Sequence, residues 1–526
     1  MSVNRDVKVF DDSTKEDALL EKLGYQQELK RSFGPLGMIG FSFSIVTSWT
    51  ALGGVLIVGF ESGGPPVMIY SWIGIFIVTL AVAYSMAEMC SAYPVAGGQY
   101  SWVAVLTPPS IARGMSWVTG WFMITGILAM GATTNFIGAN FILGQANLSF
   151  PSYTIERWHT VLLAYLITMM STAVNIYGPH FLDRISRMIL LSDLLSFVIV
   201  VVVILAMNDH KQPASFVFHD FQNFTGFGTA NTAILGLLQS AFGMCCYDAP
   251  AHMTEEMQNA SREAPRAILM SLYIGAITGL VFLIAVCFCI GDVAITAAST
   301  TGVPLIQIFY NSTSSVVVAC FLSSLITVIV LVCANALLAE GLRSLYAFAR
   351  DQALPFSGFF AKVEPKCQVP MNAILLTCVA QVAFNSIYFG TVTGFNTVVS
   401  IATEGFCTYS LSITTIRLYL SYAMPLLARM LARISGHAKV IEGPYSLGKY
   451  GIVLNIFGFI FLLFASITFN FPTINPVNQS NMNYTSAAIG VIGLISLITW
   501  VTTGKKNFTG PHVDVTNINL GGTDYN

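Results

Sequence analysis

The sequence predicts an all-α membrane protein that crosses the bilayer many times. Hydrophobic residues make up 55% of the 526 residues and charged residues 10%, whereas a soluble protein carries about 25% charged residues. The apolar residues form long blocks, and many blocks reach the roughly 20 residues that a helix needs to cross a bilayer. Because the blocks do not alternate, they exclude the strands of a membrane β-barrel.

Twelve blocks are predicted to be transmembrane helices. They are residues 35–60, 67–89, 114–144, 158–177, 184–207, 231–257, 266–290, 316–341, 371–390, 394–415, 450–470 and 484–503. An even number of spans places both termini on one side of the membrane. Lys and Arg are concentrated in the segments on that side, and the opposite segments hold Arg157 and Lys211. Because basic loops remain in the cytosol, both termini are predicted to be cytosolic.

Five Asn-x-Ser/Thr sequons lie on the predicted outer side. These candidate glycosylation sites, which would make the chain a glycoprotein, begin at Asn147, Asn223, Asn311, Asn478 and Asn483. Their position agrees with the orientation indicated by the basic residues.

Two of the predicted spans contain interruptions at matching positions. Small and polar residues 47–54 interrupt the first span, and residues 246–250, which include Pro250, interrupt the sixth. Each of these spans opens a set of five helices, and paired interruptions of this kind indicate an inverted-repeat transporter. The alternative is the ordinary tolerance of membrane helices for Gly and Pro.

A broken helix in lipid frees backbone groups that need partners, and a bound solute can supply them. The start of the second half of span one offers N–H groups to a carboxylate, and the end of the first half of span six offers carbonyls to an ammonium. The predicted substrate-binding residues are Ser48, Trp49, Thr50, Ala51, Gly53, Cys246, Tyr247 and Asp248. For the two aromatic residues, a cation–π role competes with plain packing. For Asp248, solute contact competes with capping of the second half-helix.

Carboxylates within the spans are the candidates for proton coupling. Each costs roughly 2.5–3.5 kcal/mol at the bilayer centre. Asp193 in span five and Glu404 in span ten could titrate if burial disfavours their charged form. The alternative is a satisfied polar pair or a position near the interface. Glu88, Glu255 and Glu256 lie at cytosolic span ends, where they are predicted to pair with Arg113, Arg343 or Arg350.

Enzymatic and cofactor-dependent classes find no support in the sequence. It has no clustered nucleophile and base and no phosphate-binding Gly-x-x-x-x-Gly-Lys loop. Cys287 and Cys289 would point to different faces of a helix, and no metal site or cofactor is predicted. A net charge of −2 does not indicate binding to nucleic acid. A channel formed by several copies remains open.

Four stretches of the chain carry a further signal, and they are residues 23–33 (LGYQQELKRSF), 87–100 (AEMCSAYPVAGGQY), 247–256 (YDAPAHMTEE) and 343–351 (RSLYAFARD). These stretches resemble the amino acid–polyamine–organocation superfamily, and within it the fungal amino acid/choline transporters. In this family, Gly usually precedes the aromatic–Asp pair of span six, where this chain has Cys246. The resemblance implies a LeuT-like five-plus-five inverted repeat with discontinuous helices 1 and 6 and two additional helices.

The implied function is secondary transport of an amino acid, γ-aminobutyrate, choline or a polyamine by alternating access, with a proton as co-substrate. The implied location is the plasma membrane, with an endomembrane as the alternative. Two alternative functions are transport of a secondary metabolite such as an alkaloid and nutrient sensing without transport. The predicted segments are a cytosolic tail 1–33, a first repeat 34–207, an extracellular loop 208–229, a second repeat 230–432, spans eleven and twelve 450–503, and a tail 504–526.

The apolar run from Thr393 to Ala428 is too long for one span. As a helix it would extend about 54 Å, against a hydrocarbon core of about 30 Å. The resemblance implies that span ten joins almost directly to residues 421–425, so that residues 409–418 are a predicted insertion, either a true one or an error in the gene model. The bilayer span is expected to end before Arg417, with the next segment at the interface and Pro425 breaking it.

Overall fold

The described part of the chain folds as a bundle of long helices with almost no strand. The computed structural model describes residues 17–18, 20–21, 23–178, 182–364, 368–389, 405–436, 443–477, 482–483, 485–508 and 510, with side chains from 415 onwards in the segment 405–436. Ten helices in these ranges are long and apolar enough to cross a membrane. The all-α polytopic fold is confirmed.

The helices follow the predicted spans closely. In chain order they are α1 Pro35–Val46, α2 Ser48–Glu61, α3 Gly64–Ala92, α4 Gln99–Leu106, α5 Pro109–Ser149, α6 Arg157–Tyr177, α7 Leu182–Met207, α8 Ala214–Phe218, α9 Thr229–Gly243, α10 Ala249–His252, α11 Ala260–Cys289, α12 Val293–Ala297, α13 Pro304–Thr313, α14 Val316–Arg350, α15 Ser357–Phe360, α16 Met371–Ser386, α17 Gly405–Ser435, α18 Gly451–Thr468, α19 Thr485–Thr499 and α20 Lys505–Asn507. Strands β1 Ser62–Gly63 and β2 Gln222–Asn223 pair antiparallel. They join the end of α2 to the segment before α9.

The packing relates the two predicted halves to each other. The third long helices of the halves, α5 and α14, pack together at the centre. The first span of each half packs against the second span of the other, so that α1 and α2 contact α11 while α9 contacts α3. This exchange is the arrangement expected of an inverted repeat.

Small residues allow the crossing helices to approach closely. Trp72 of α3 fills the space beside Gly243 and Gly279, where an added Cβ would lie 2.7 and 2.2 Å from its ring. The indole nitrogen of Trp72 donates to the Ala276 carbonyl at 2.9 Å. The outer helices carry large apolar side chains on their exposed faces. On α7, for example, Leu191 and Val202 are exposed. Such a face suits lipid.

The tenth span differs from its prediction. Helix α17 continues through Pro425 to Ser435, and Arg417 is buried within the bundle. The expectation that Pro425 breaks this segment is wrong, because α17 continues through it and packs against α5 and α18. The end of the bilayer span before Arg417 stays a prediction. A proline is tolerated here since neighbouring helices cover the locally freed backbone. Residues 394–404 lie outside the described residues, and the insertion at 409–418 stays a prediction.

Candidate functional site

The first span breaks at one residue. Thr47 separates α1 from α2 with a backbone φ of 7° and ψ of 51°. The amides of Thr50 and Ala51 both donate to the Thr47 carbonyl, at 3.0 and 2.9 Å. The amides of Ser48 and Trp49 therefore precede the first intrahelical hydrogen bond of α2, which leaves them among the free donors of a helix N-terminus.

The sixth span breaks over five residues. Helix α9 ends at Gly243, and the short α10 begins at Ala249. Between them, Cys246 has a φ of 60°, in the left-handed region that favours glycine. This is the position where the resembling family usually has Gly. The break therefore has the backbone of the family pattern, with a bulkier side chain at its turn.

The two breaks face the same small cavity at the centre of the bundle. The cavity measures about 30 Å³, which is room for about two water molecules. Its lining includes Thr47, Thr50 and Ala51 from the first break and Cys245 and Cys246 from the sixth. Helix α14 closes one side. Of the eight predicted substrate-binding residues, Thr50, Ala51 and Cys246 therefore line one cavity.

The other predicted residues of the first break face neighbouring helices. Ser48 lies against Gly275 of α11, and Gly53 lies against Leu305 of α13, whose Cδ2 would be 2.6 Å from an added Cβ. Phe242, interpreted as plain core from the sequence, lines the cavity instead.

Trp49 and Asp193 form a buried pair beside the first break. The indole nitrogen of Trp49 donates to the Asp193 Oδ1 at 2.7 Å. The rings of Phe197 and Phe282 contact the Trp49 ring edge-on at 5.9 and 5.5 Å between centroids. Within the described residues, Asp193 Oδ2 has no hydrogen-bond partner. Asp193 thus joins α7 to α2 through a single donor.

Asp248 accepts hydrogen bonds from two distant parts of the chain and lies close to His252. Its carboxylate accepts from Gln99 Nε2 and from the Tyr422 hydroxyl, both at 2.5 Å. His252 Nε2 lies 3.4 Å from Asp248 Oδ2, and the Tyr247 ring packs against the Tyr422 ring at 5.3 Å. Asp248 forms no side-chain cap on α10. The capping alternative is therefore wrong, because the carboxylate faces Gln99 and Tyr422.

Glu340 of α14 belongs to the same region, although the sequence reasoning did not select it. The ligand-type atoms of Asp248, His252 and Glu340 all lie within 4.8 Å of one another. The prediction of no metal site did not consider this set. The signal in the sequence was a carboxylate inside an apolar run, but the predicted span ended at residue 341 and the helix continues to Arg350.

Two buried arginine–glutamate pairs close one end of the bundle, which we call the ion-paired end. Arg343 donates to both oxygens of Glu256, at 2.5 and 3.0 Å. Arg350 donates to both oxygens of Glu255, at 2.9 and 2.8 Å. These pairs join α14 to the turn after α10, as the sequence predicted for both glutamates. Bidentate geometry of this kind is the stronger form of ion pair.

The segment before α1 also binds at the ion-paired end. The amides of Ser32 and Phe33 both donate to the Glu256 carbonyl at 3.0 Å. The Tyr25 hydroxyl lies 3.1 Å from both oxygens of Asp351, and the guanidinium of Arg350 lies 4.1 Å from the Tyr25 ring centroid. Burial and the nearby Asp351 raise the pKa of the Tyr25 phenol, which keeps it a donor. The segment therefore acts as part of the closure.

Glu88 pairs differently from its prediction. Its Oε2 lies 2.5 Å from Arg429 Nη1 of α17, and its Oε1 accepts the Leu447 amide at 3.0 Å. Arg113, one of the predicted partners, donates to the carbonyls of Phe508 and Lys505. The prediction could not include Arg429 because span ten was expected to end before it.

The asparagines of the predicted glycosylation sites differ in solvent exposure. Asn223 and Asn311 are exposed, whereas Asn147 and Asn483 are buried. Asn147 donates to the Tyr153 carbonyl at 2.7 Å and Asn483 to the Phe469 carbonyl at 2.9 Å. Asn478 and Glu404 lie outside the described residues.

The conformation of Cys246 gives a direct prediction. Replacing Cys246 with glycine is expected to raise the free energy of unfolding by about 1 kcal/mol, because the left-handed backbone costs an L-residue about that much. The measurement is the thermal unfolding of purified protein in detergent. Cys245→Gly is the matched control, because its backbone is not left-handed and glycine there adds entropy to the unfolded chain. Equal shifts for both variants would contradict the assignment.

Together, the helical bundle, the two broken spans and the cavity between them define a multi-pass membrane transporter. The sequence model of the family "amino acid permease" matches residues 33–495. The chain belongs to this family, and it is a transporter and not an enzyme.

Several named proteins are similar to this chain along most of its length. A Macrophomina phaseolina protein, provisionally named an amino acid/polyamine transporter, is 64% identical over 86% of this chain and 97% of its own. The choline transporter of Saccharomyces cerevisiae is 30% identical over 97% of this chain and 87% of its own. The amino-acid permease BAT1 of Arabidopsis thaliana is 30% identical over 94% of this chain and 95% of its own.

Proposed function

We propose that the chain is a secondary transporter that carries a small amine or amino-acid-like solute through the cavity between its two helix breaks. The observation that carries the proposal is the convergence of Thr47, Thr50 and Ala51 with Cys245 and Cys246 on one cavity. A solute carboxylate would accept from the free amides at the start of α2, where the helix dipole is positive. An ammonium would face carbonyl groups at the end of α9.

The size of the cavity supports alternating access. A space of about 30 Å³ admits water but not an amino acid, so that a solute enters only after the helices around it move apart. The ion pairs and the segment before α1 close one end of the bundle. The distribution of Lys and Arg supports a cytosolic position for that end and for both termini. The state described is then closed towards the cytosol, in a membrane that we propose is the plasma membrane.

The names of the relatives support the solute class. Amino acids, polyamines and choline, the solutes in those names, all carry an amine or a quaternary ammonium group. The C-terminal end of α9, which lies beside the cavity and carries the negative end of the helix dipole, suits such a cation. The proposal extends to this chain only the shared chemistry, a small solute with a positively charged nitrogen.

The driving ion in this proposal is the proton. A buried carboxylate would take up a proton on one side of the membrane and release it on the other. Asp193 and Glu404 are the candidates from the sequence, and Asp193 is supported by its buried position beside the first break and its free Oδ2. Its contact with Trp49 would couple its charge to the start of α2.

The experiment is uptake of radiolabelled choline, γ-aminobutyrate, lysine and putrescine into proteoliposomes. At least one solute is expected to enter, and an inward proton gradient is expected to raise its rate. Asp193→Asn and Glu404→Gln are compared for the pH dependence of uptake and for solute exchange. The coupling variant should lose the pH dependence and keep exchange. Transport of none of these solutes would contradict the solute class, and an unchanged pH response in both variants would remove both carboxylates from coupling.

A further inference from the structure

Glu340 is a buried carboxylate without a visible partner. Its side chain is 0% exposed, and neither of its oxygens has a hydrogen-bond partner among the described residues. It lies one helical turn beyond Leu337, which lines the central cavity. An ionised carboxylate in this position would carry a large desolvation cost, whereas a protonated one avoids most of that cost.

The nearest ionisable groups to Glu340 do not neutralise it as a cation would. Asp248 and His252, with atoms within 4.8 Å, and Cys245 face it from the break in the sixth span. Cys246 lies nearby in the same break, and Cys333 is on the same helix. Two carboxylates this close cannot both ionise without strong repulsion. The surroundings thus favour a bound proton.

Several charged side chains on α14 and on the helices packed against it have other partners. Arg343, on α14 itself, binds Glu256. Arg113 of α5 binds the carbonyls of Phe508 and Lys505. On α7, Arg187 pairs with Asp183 and Asp193 accepts from Trp49.

The contacts of His252 require a separate proton, between His252 and Asp248. Its Nδ1 lies 3.1 Å from the Ala96 carbonyl, which can only accept, so that Nδ1 carries a hydrogen. In a neutral imidazole, Nε2 is then an acceptor, yet it lies 3.4 Å from Asp248 Oδ2. Two acceptors face each other unless one proton lies between them. That proton satisfies the His252–Asp248 contact and leaves Glu340 as the group that still needs one.

We propose that Glu340 binds the coupling proton and that Asp248 and His252 set its affinity. The proposal rests on the proposed function, because it names the residue that would bind the driving proton. It adds a carboxylate that the sequence reasoning did not select to the candidates Asp193 and Glu404. Asp248 accepts hydrogen bonds from Gln99 of α4 and Tyr422 of α17, so that a change of charge at Glu340 reaches two further helices.

The position of Glu340 suits a coupling role. Towards the cavity, Leu337 is three residues before it, and towards the ion-paired end, Arg343 is three residues after it, with Glu256 as partner. Residues three apart on a helix are neighbours on one face. A proton on Glu340 therefore lies between the solute cavity and the ion-paired end. Its release would alter the electric field at the cavity and at the ion-paired end.

The side chains of Asp248, His252 and Glu340 suit a proton better than a sodium ion. A sodium ion would need several free oxygen ligands, whereas both oxygens of Asp248 already accept hydrogen bonds from Gln99 and Tyr422. The third member of the set offers an imidazole nitrogen, which suits protons and transition metals more than alkali ions. Sodium and a transition metal are therefore outcomes that the test must separate from the proton.

The test uses infrared difference spectroscopy on the purified full chain while the pH is changed, with no solute and no transport required. A protonated carboxyl absorbs apart from a carboxylate, and the wild type is expected to show such a pH-dependent band. Glu340→Gln should lose the Glu340 part of that band, and Glu340→Asp should keep it with a shifted midpoint. The band is followed above about pH 6, where carboxyls with ordinary pKa values are already ionised. The matched control Glu263→Gln, which removes the partner of the exposed Arg266, should leave this band unchanged.

Three results would overturn the proposal. The first is a band that Glu340→Gln leaves intact in protein that remains monodisperse. The second is a band that responds to sodium and not to pH. The third is a signal that a chelator abolishes, which would indicate a metal. Because the measurement needs no solute, a failure of the transport proposal would appear only in the uptake assay, and the two failures are distinguishable.

Discussion

Replacing Arg343 with alanine is expected to lower the free energy of unfolding by about 3–5 kcal/mol, because removal of one partner leaves a buried carboxylate uncompensated. The side chains of Arg343 and Glu256 are 3% and 10% exposed, and they share two hydrogen bonds. The same change opens the contact between α14 and the turn after α10, so that uptake should fall with stability. Thermal unfolding in detergent and uptake per folded molecule measure both effects.

Two further variants distinguish the loss of a buried ion pair from the loss of any arginine charge. Arg266→Ala removes an exposed pair with Glu263, and its expected cost is about 0–1 kcal/mol. Arg343→Gln combined with Glu256→Gln should recover much of the loss, because neither charge then remains unpaired. A cost for Arg343→Ala as small as that of Arg266→Ala would contradict the role assigned to the buried pair.

Replacing Gly53 with leucine is expected to abolish uptake while the protein still reaches its membrane. An added Cβ at Gly53 would lie 2.6 Å from Leu305 Cδ2 and 3.6 Å from the Phe141 ring. A leucine would therefore push α2 away from α13 and displace the first break. Uptake normalised to surface expression is the measurement.

The matched controls for Gly53 test the reason as well as the result. Gly74 on α3 has open space around its Cα, so that Gly74→Leu should leave uptake nearly normal. Leu305→Ala should partly restore uptake to Gly53→Ala, because it removes the atom in contact. Near-normal uptake by Gly53→Leu would contradict the tight contact between α2 and α13, and failure of the Leu305→Ala rescue would favour direct approach of solute to the backbone.

Most of the architecture could be predicted because a membrane span leaves a simple signal. Apolar length and basic loops located the helices, and the two interruptions located the breaks. The tenth helix was predicted to end too early because Arg417 and Pro425 are typical of the end of a helix in the bilayer. In the structure α17 continues past both, since a buried position inside the bundle, unlike one in lipid, accepts both residues.

The partners around the breaks were harder to predict than the breaks themselves. Gln99, His252 and Tyr422 meet Asp248 only because α4, α10 and α17 converge there, and a single sequence contains no record of that convergence. The sequence also suggested that all small residues near Thr47 face the solute. The turn at Thr47 instead directs Ser48 towards α11 and Trp49 towards Asp193.

The most direct test of the central claim, that solute passes between the two breaks, uses cysteines already in the chain. Cys246 and Cys333 line the cavity, whereas Cys320 is a partly exposed cysteine elsewhere on α14. The rate at which a small thiol reagent modifies each cysteine is measured by peptide mass spectrometry, with and without a solute that the protein transports. We expect the solute to slow modification of Cys246 and Cys333 and to leave Cys320 unchanged. Equal rates at the two cavity cysteines with and without a solute that is being transported would contradict the account.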